Sequence, residues 1–164
     1  MEIRRLRSTD DRLAVSQIYE ESWKYAYRGI IPQSYLDSIP QGKWASHLEQ
    51  SGMHSLVAVE DSIYLGTASC CASRFPDMDG CGEIVSLYLR PEYMGKGYGK
   101  ALLTAALDEL ASIGYHSVFL WVLEENARAR QFYENHGFVY SGEFLQDEIG
   151  GKLLRELRYC YTIG

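Results

Sequence analysis

The 164-residue sequence predicts an α+β fold, a mixed β-sheet with helices on both faces. Three observations carry this reading. Residues 55–60 and 63–73 are rich in Val, Ile, Tyr and Thr and flank the short turn Asp61-Ser62, which reads as a β-hairpin. From Lys100 the apolar period changes, and Leu102, Leu103, Ala106, Leu107 and Leu110 fall on one helical face. Residues 116–123 then form a continuous apolar stretch, as expected of a central strand covered on both sides.

The remaining elements follow in order. Residues 2–7 read as a first strand, and Ser8-Thr9-Asp10-Asp11 supplies capping residues and first-turn acids for a helix running towards Arg28, closed by Gly29. Short helical stretches are predicted at 32–37 and 42–50, each following a proline signal. Residues 76–82 contain Pro, Asp and Gly and read as an exposed loop before a strand at 83–90. Gly114 terminates the helix that begins near Lys100. A second C-terminal helix spans 126–136 and ends at Gly137, and strands at 138–144 and 153–161 flank a Gly150-Gly151 turn.

Composition bounds the function. A chain with 46% hydrophobic residues and this length buries one substantial core, so residues 1–164 are expected to form a single domain. Its longest apolar runs fall far short of the roughly 20 residues of a membrane-spanning helix, and Met1-Glu2-Ile3-Arg4-Arg5 lacks a signal-peptide apolar region. A cytoplasmic protein without membrane contact is expected. Cys70, Cys71, Cys81 and Cys160 form no CxxC pair and no metal-ligand spacing with His47, His54, His116 or His136. No HExxH or GxSxG pattern is present, so hydrolase and metalloenzyme readings lack support. The net charge of -6 argues against nucleic acid as a partner and favours a cationic substrate.

The densest signal is Met94-Gly95-Lys96-Gly97-Tyr98-Gly99-Lys100, a glycine-rich turn between a strand and an amphipathic helix. Glycines let backbone N–H groups converge on an anion, and the helix N-terminus adds partial positive charge, which together make a pyrophosphate cradle. A P-loop requires Ser or Thr after its lysine, but Ala101 follows Lys100. A dinucleotide fingerprint requires GxGxxG near the start of a βαβ unit, whereas the spacing here is GxGxG. A glycine-rich turn that binds nothing remains the alternative.

This segment resembles the main motif, [QR]xxGx[GA], of the GCN5-related N-acetyltransferase (GNAT) superfamily, with Met94 standing where that family usually has Gln or Arg. About thirty residues on, the stretch from Leu120 to Phe138 resembles the family's second motif: a strand, Asn126, a helix bearing Tyr133, and a closing Gly137-Phe138. Independently of the family, Asn126 is a good N-cap, and Tyr133 lies about two turns further along the same helix face.

The resemblance covers about a third of the chain and implies the acyl-CoA N-acyltransferase fold, a splayed sheet with acetyl coenzyme A in the splay. It implies acetyl-CoA as cosubstrate and no metal. Leu87, Leu89, Met94, Gly95, Lys96, Gly97, Gly99, Lys100, Asn126 and Tyr133 become the expected coenzyme contacts, the Leu89 backbone orienting the acetyl carbonyl. Tyr133 is the expected acid for the departing thiolate. An amine attacks only when neutral, and deprotonating a lysine-like amine at pH 7 costs about 4.6 kcal/mol. Glu83, eleven residues before Met94 in a Glu-Ile-Val stretch like that of histone-type members, is the expected base; a solvated Glu at the strand entry is the alternative. The aromatic segment from Trp23 to Pro32 lies where the family's first helices wall the acceptor site, and its rings with Glu20 or Glu21 would hold a cation, unless they serve only as core. The acceptor is expected to be a small-molecule or peptide amine, and homodimers are common in the family. A coenzyme-binding regulatory module without turnover and an unrelated phosphate-binding domain are the other functional classes.

Overall fold

The computed structural model describes residues Met1–Gly164. Seven strands form one sheet: β1 (Glu2–Arg5), β2 (His54–Glu60), β3 (Ile63–Ala72), β4 (Gly82–Leu89), β5 (Ser117–Leu123), β6 (Val139–Ile149) and β7 (Lys152–Thr162). Four α-helices accompany them: α1 (Arg12–Ala26), α2 (Gln33–Asp37), α3 (Tyr98–Ser112) and α4 (Ala127–Asn135). The sheet order is β1-β2-β3-β4-β5-β7-β6, antiparallel everywhere except between β4 and β5.

Alternation along the strands assigns the faces. Leu56 and Ala58 of β2, Ile84 of β4, and Val118, Leu120 and Val122 of β5 pack with Leu102, Leu103, Ala106 and Leu110 of α3. Val57 points the other way, onto Val15 and Tyr19 of α1. Leu123 and Leu154 meet Leu36 of α2 on that same side.

Local chemistry sets most boundaries. Asp11 caps α1, its carboxylate accepting from the Leu13 and Ala14 N–H groups. The β2–β3 turn places Asp61 at φ 50° and Ser62 at φ 65°, the left-handed pair of a two-residue hairpin. β1 stops at Arg5 rather than Arg7, because the Arg7 N–H donates to the Asp10 carboxylate at 2.6 Å.

One predicted helix is absent. Residues 42–50 form turns and a single 3₁₀ turn at His47–Glu49. Backbone donors that a helix would use locally go to α1 instead: the Gly42 N–H donates to Glu20 and the Trp44 N–H to Ser16, with the Trp44 ring stacked 5.5 Å from Tyr19. β6 also runs further than predicted, because the Gly150-Gly151 turn extends the β6–β7 ladder through Ile149 and Lys152.

Candidate functional site at the splay of the sheet

β4 and β5 are paired only where Gly82 meets Val118 and Glu83 meets Phe119. Beyond that point they diverge, and a cavity of about 930 Å³ opens between them. A bulge opposite the Ser69–Cys70 step leaves Val85 without a partner on β3 and bends β4 just as the gap begins. Hydrogen-bond alternation then decides which groups face the gap. The Arg90 N–H donates to Leu65 O on β3, so the N–H groups of Leu87 and Leu89 point to the opposite edge, into the gap. The Leu89 carbonyl accepts from the Ser22 hydroxyl of α1, at 2.5 Å.

Where β4 ends, the glycine turn leads into α3. Gly95 and Gly97 sit at φ 75° and 88°, conformations that would strain any residue with a Cβ. Gly97 is the N-cap, and no side chain caps the helix, so the first N–H groups of a fifteen-residue helix remain available at the cavity rim. A Cβ on Gly99 would come within 3.2 Å of the Phe132 ring, so glycine here lets α3 approach α4 closely. Met94, Gly95, Gly97, Gly99 and Lys100 line the cavity. Lys96 does not; its ammonium lies 5.8 Å from the centre of the Tyr93 ring on the outer surface.

On the far side, α4 presents Asn126, Phe132 and Tyr133 to the cavity. The Asn126 carbonyl accepts from the Ala129 N–H at 3.2 Å and caps α4, leaving its amide N–H groups free. Capping and ligand contact are compatible in this one residue. Burial pushes the Tyr133 phenol well above its ordinary value, with Tyr88 adding to the effect, so at neutral pH the hydroxyl holds its proton.

The other wall is α1. Trp23 and Tyr27 line the cavity, and the Trp23 indole N–H donates to the Tyr88 hydroxyl at 3.1 Å. Trp23 also packs 5.3 Å from Trp44, so it serves core and cavity at once. Glu20 and Glu21 point elsewhere: Glu20 accepts from Ser16 and Gly42, and Glu21 lies 3.7 Å from Arg90. Neither lines the cavity.

Glu83 lines the cavity but is not the solvated strand-entry residue of the alternative reading. It is 1% exposed and clamped by Arg74, whose backbone N–H and Nε donate to Oε1 at 3.1 Å while Nη2 donates to Oε2 at 2.6 Å. A second carboxylate, which sequence reasoning missed, is Glu156 on β7. It lines the cavity and is half-buried beside Leu123 of β5. Burial raises its carboxyl, Asp147 raises it further, and Arg74 partly offsets both. The signal in the sequence is two-residue alternation with Leu154, which marks the shared face without revealing that this face borders a gap.

The sequence and fold are similar to those of known proteins. The model of the Acetyltransferase (GNAT) family matches residues 14–138. Spermidine N(1)-acetyltransferase of Thermoplasma acidophilum is 28% identical over 163 residues, 97% of this chain and 98% of that protein. The L-amino acid N-acyltransferase MnaT of Escherichia coli is also 28% identical, over 96% of this chain and 89% of its own. The crystal structure of PaiA N-acetyltransferase from T. acidophilum in complex with coenzyme A superposes with a TM-score of 0.74 at 25% identity, covering 98% of this chain and 100% of that one.

Proposed function

Because the chain belongs to the Acetyltransferase (GNAT) family, we propose that it moves the acetyl group of acetyl-CoA directly onto a primary amine within a ternary complex, and that one domain does this. The observation that carries the reading is the gap between β4 and β5, which opens onto the uncapped N-terminus of α3. Gly95, Gly97, Gly99 and Lys100 line the cavity, where their backbone N–H groups would hold a pyrophosphate and the Lys100 side chain would add charge at the same rim. Lys96, being outside the lining, contributes its backbone at most.

The apolar gap would take the pantetheine arm, with the Leu87 N–H along its edge and the free Asn126 amide opposite. The Leu89 N–H would face the thioester carbonyl as it develops negative charge, and Met94 lines the same cavity with no polar side-chain group to offer. Tyr133 holds its proton and delivers it to the departing thiolate. The acceptor would approach from the α1 face, past Trp23 and Tyr27, where aromatic surface suits an organic cation. Relatives of equal identity bear names with different acceptors, a polyamine and an L-amino acid, so identity does not choose between them. We place the reaction in the cytoplasm, a reading supported by four free cysteines and by the lack of any helix long and apolar enough to cross a membrane.

Calorimetric titration tests the reading. Acetyl-CoA should bind much more tightly than ADP, because the gap contributes to one and not the other. Equal binding, or no binding of acetyl-CoA at millimolar concentration, would refute it.

A further inference from the structure

We propose that Glu156, rather than Glu83, is the carboxylate that receives the acceptor's ammonium group at the gap and takes its proton. The assignment rests on the acetyl-transfer reading above and names the residue that reading leaves open.

Three observations carry it. Glu83 already accepts three N–H groups from Arg74, leaving little capacity for an incoming ammonium. Glu156 faces the same cavity, and no hydrogen bond of the protein contributes to its environment. Its placement also fits. Alternation puts Glu156 with Leu154 on the α1 and α2 side of the sheet, the side from which the acceptor would enter, directly across from Leu123 at the end of β5.

The surrounding charges make this carboxylate selective. Arg74 faces it from the loop after β3, Tyr27 from the C-cap of α1, Tyr88 from β4 and Asp147 from β6, while β5 contributes only Leu123. Both tyrosines are held neutral by burial, and the Glu156 charge strengthens that effect. Arg74 is bound to Glu83, so no free cation neutralises Glu156, and Asp147 adds negative potential. Lys100 and Arg128, the other cavity cations, sit on α3 and α4, and Arg128 donates to the Tyr25 hydroxyl of α1 at 3.5 Å; neither forms a salt bridge with Glu156. The site therefore favours an alkyl ammonium without an adjacent carboxylate.

Proton balance is complete without another reactant. Glu156 takes one proton from the ammonium, and the neutral nitrogen forms its C–N bond at the thioester carbonyl. The C–S bond then breaks, Tyr133 protonates the thiolate, and the Tyr133 phenolate recovers the second proton from the amide nitrogen. Glu156 finally releases its proton to water.

The test uses the full chain and Glu156→Gln, which preserves shape. Both proteins are titrated with acetyl-CoA, then with spermidine after loading with coenzyme A, from pH 4.5 to 8. Acetyl-CoA should bind both within twofold, which also shows that the variant folds. Spermidine should bind the wild type more tightly as pH rises and Glu156 ionises, and bind the variant roughly 10-fold more weakly with that dependence lost. In turnover the variant should lose roughly 100-fold in kcat/KM with spermidine, but far less with trifluoroethylamine, which is already neutral at the assay pH and needs no base. Equal losses with the two amines, or spermidine binding that ignores the substitution, overturn the assignment of Glu156. Loss of acetyl-CoA binding by the wild type itself would overturn the acetyl-transfer reading and this assignment with it.

Discussion

Replacing Arg74 with methionine would leave Glu83, a carboxylate 1% exposed, without its counter-ion. The substitution removes two of the three N–H donors on that carboxylate and spares the backbone one. Breaking a buried ion pair typically costs about 3–5 kcal/mol. The Arg74 side chain is half exposed, so water can partly replace it, and the expected loss falls to about 2–3 kcal/mol. For a chain of this size that corresponds to a melting temperature lower by about 5–10 °C. Urea unfolding would measure this for Arg74→Met, Glu83→Gln and the double variant. The double variant should be more stable than Arg74→Met alone, because it buries no charge. A double variant no better than the single would show that Glu83 and Arg74 are not the coupled structural pair described above.

Tyr133→Phe should lower kcat by about 100-fold while leaving acetyl-CoA affinity unchanged in calorimetry, since the hydroxyl acts on the leaving group; unchanged turnover would show that Tyr133 is not the acid. Gly97→Ala places a Cβ at φ 88°, in otherwise open space, and should cost about 1–2 kcal/mol of stability in urea unfolding. The same variant should bind acetyl-CoA more weakly, and undiminished affinity would remove the glycine turn from the cradle. Asp10 is nearly buried and held well below the usual carboxylate range, chiefly by hydrogen bonds from Arg4 and also by the Arg7 N–H and the Tyr64 hydroxyl. A depressed carboxyl contributes stability that is complete above its unfolded value of about 3.9 and is lost as pH falls below it. Asp10→Asn should therefore cost about 2 kcal/mol at pH 7 and flatten the acid limb of the unfolding curve, and an unaltered acid limb would count against the Arg4–Asp10 pair.

The parts of the site legible in the sequence are those built from contiguous residues. The glycine turn, the α3 N-terminus, and the pairing of Asn126 with Tyr133 on one helix face are local: two left-handed glycines and a helical period of 3.6 suffice to place them. The paired β2–β3 hairpin and the central strand β5 are legible for the same reason, since two-residue alternation and continuous apolarity act over a few residues. The helix expected at 42–50 failed where locality fails, because its backbone donors find acceptors on α1, 22 and 28 residues earlier.

The chain itself determines strands, helices and the glycine turn into α3, because backbone geometry and apolar periodicity are properties of neighbours in sequence. Only the tertiary structure decides what the carboxylates do. Glu83 is taken out of solvent by an arginine that reaches it across the β3–β4 connection, while Glu156 reaches the cavity because β7 lies beside β5 in the sheet. A carboxylate's role depends on which charges and how much water surround it, and those are set by segments distant in sequence that the fold brings together.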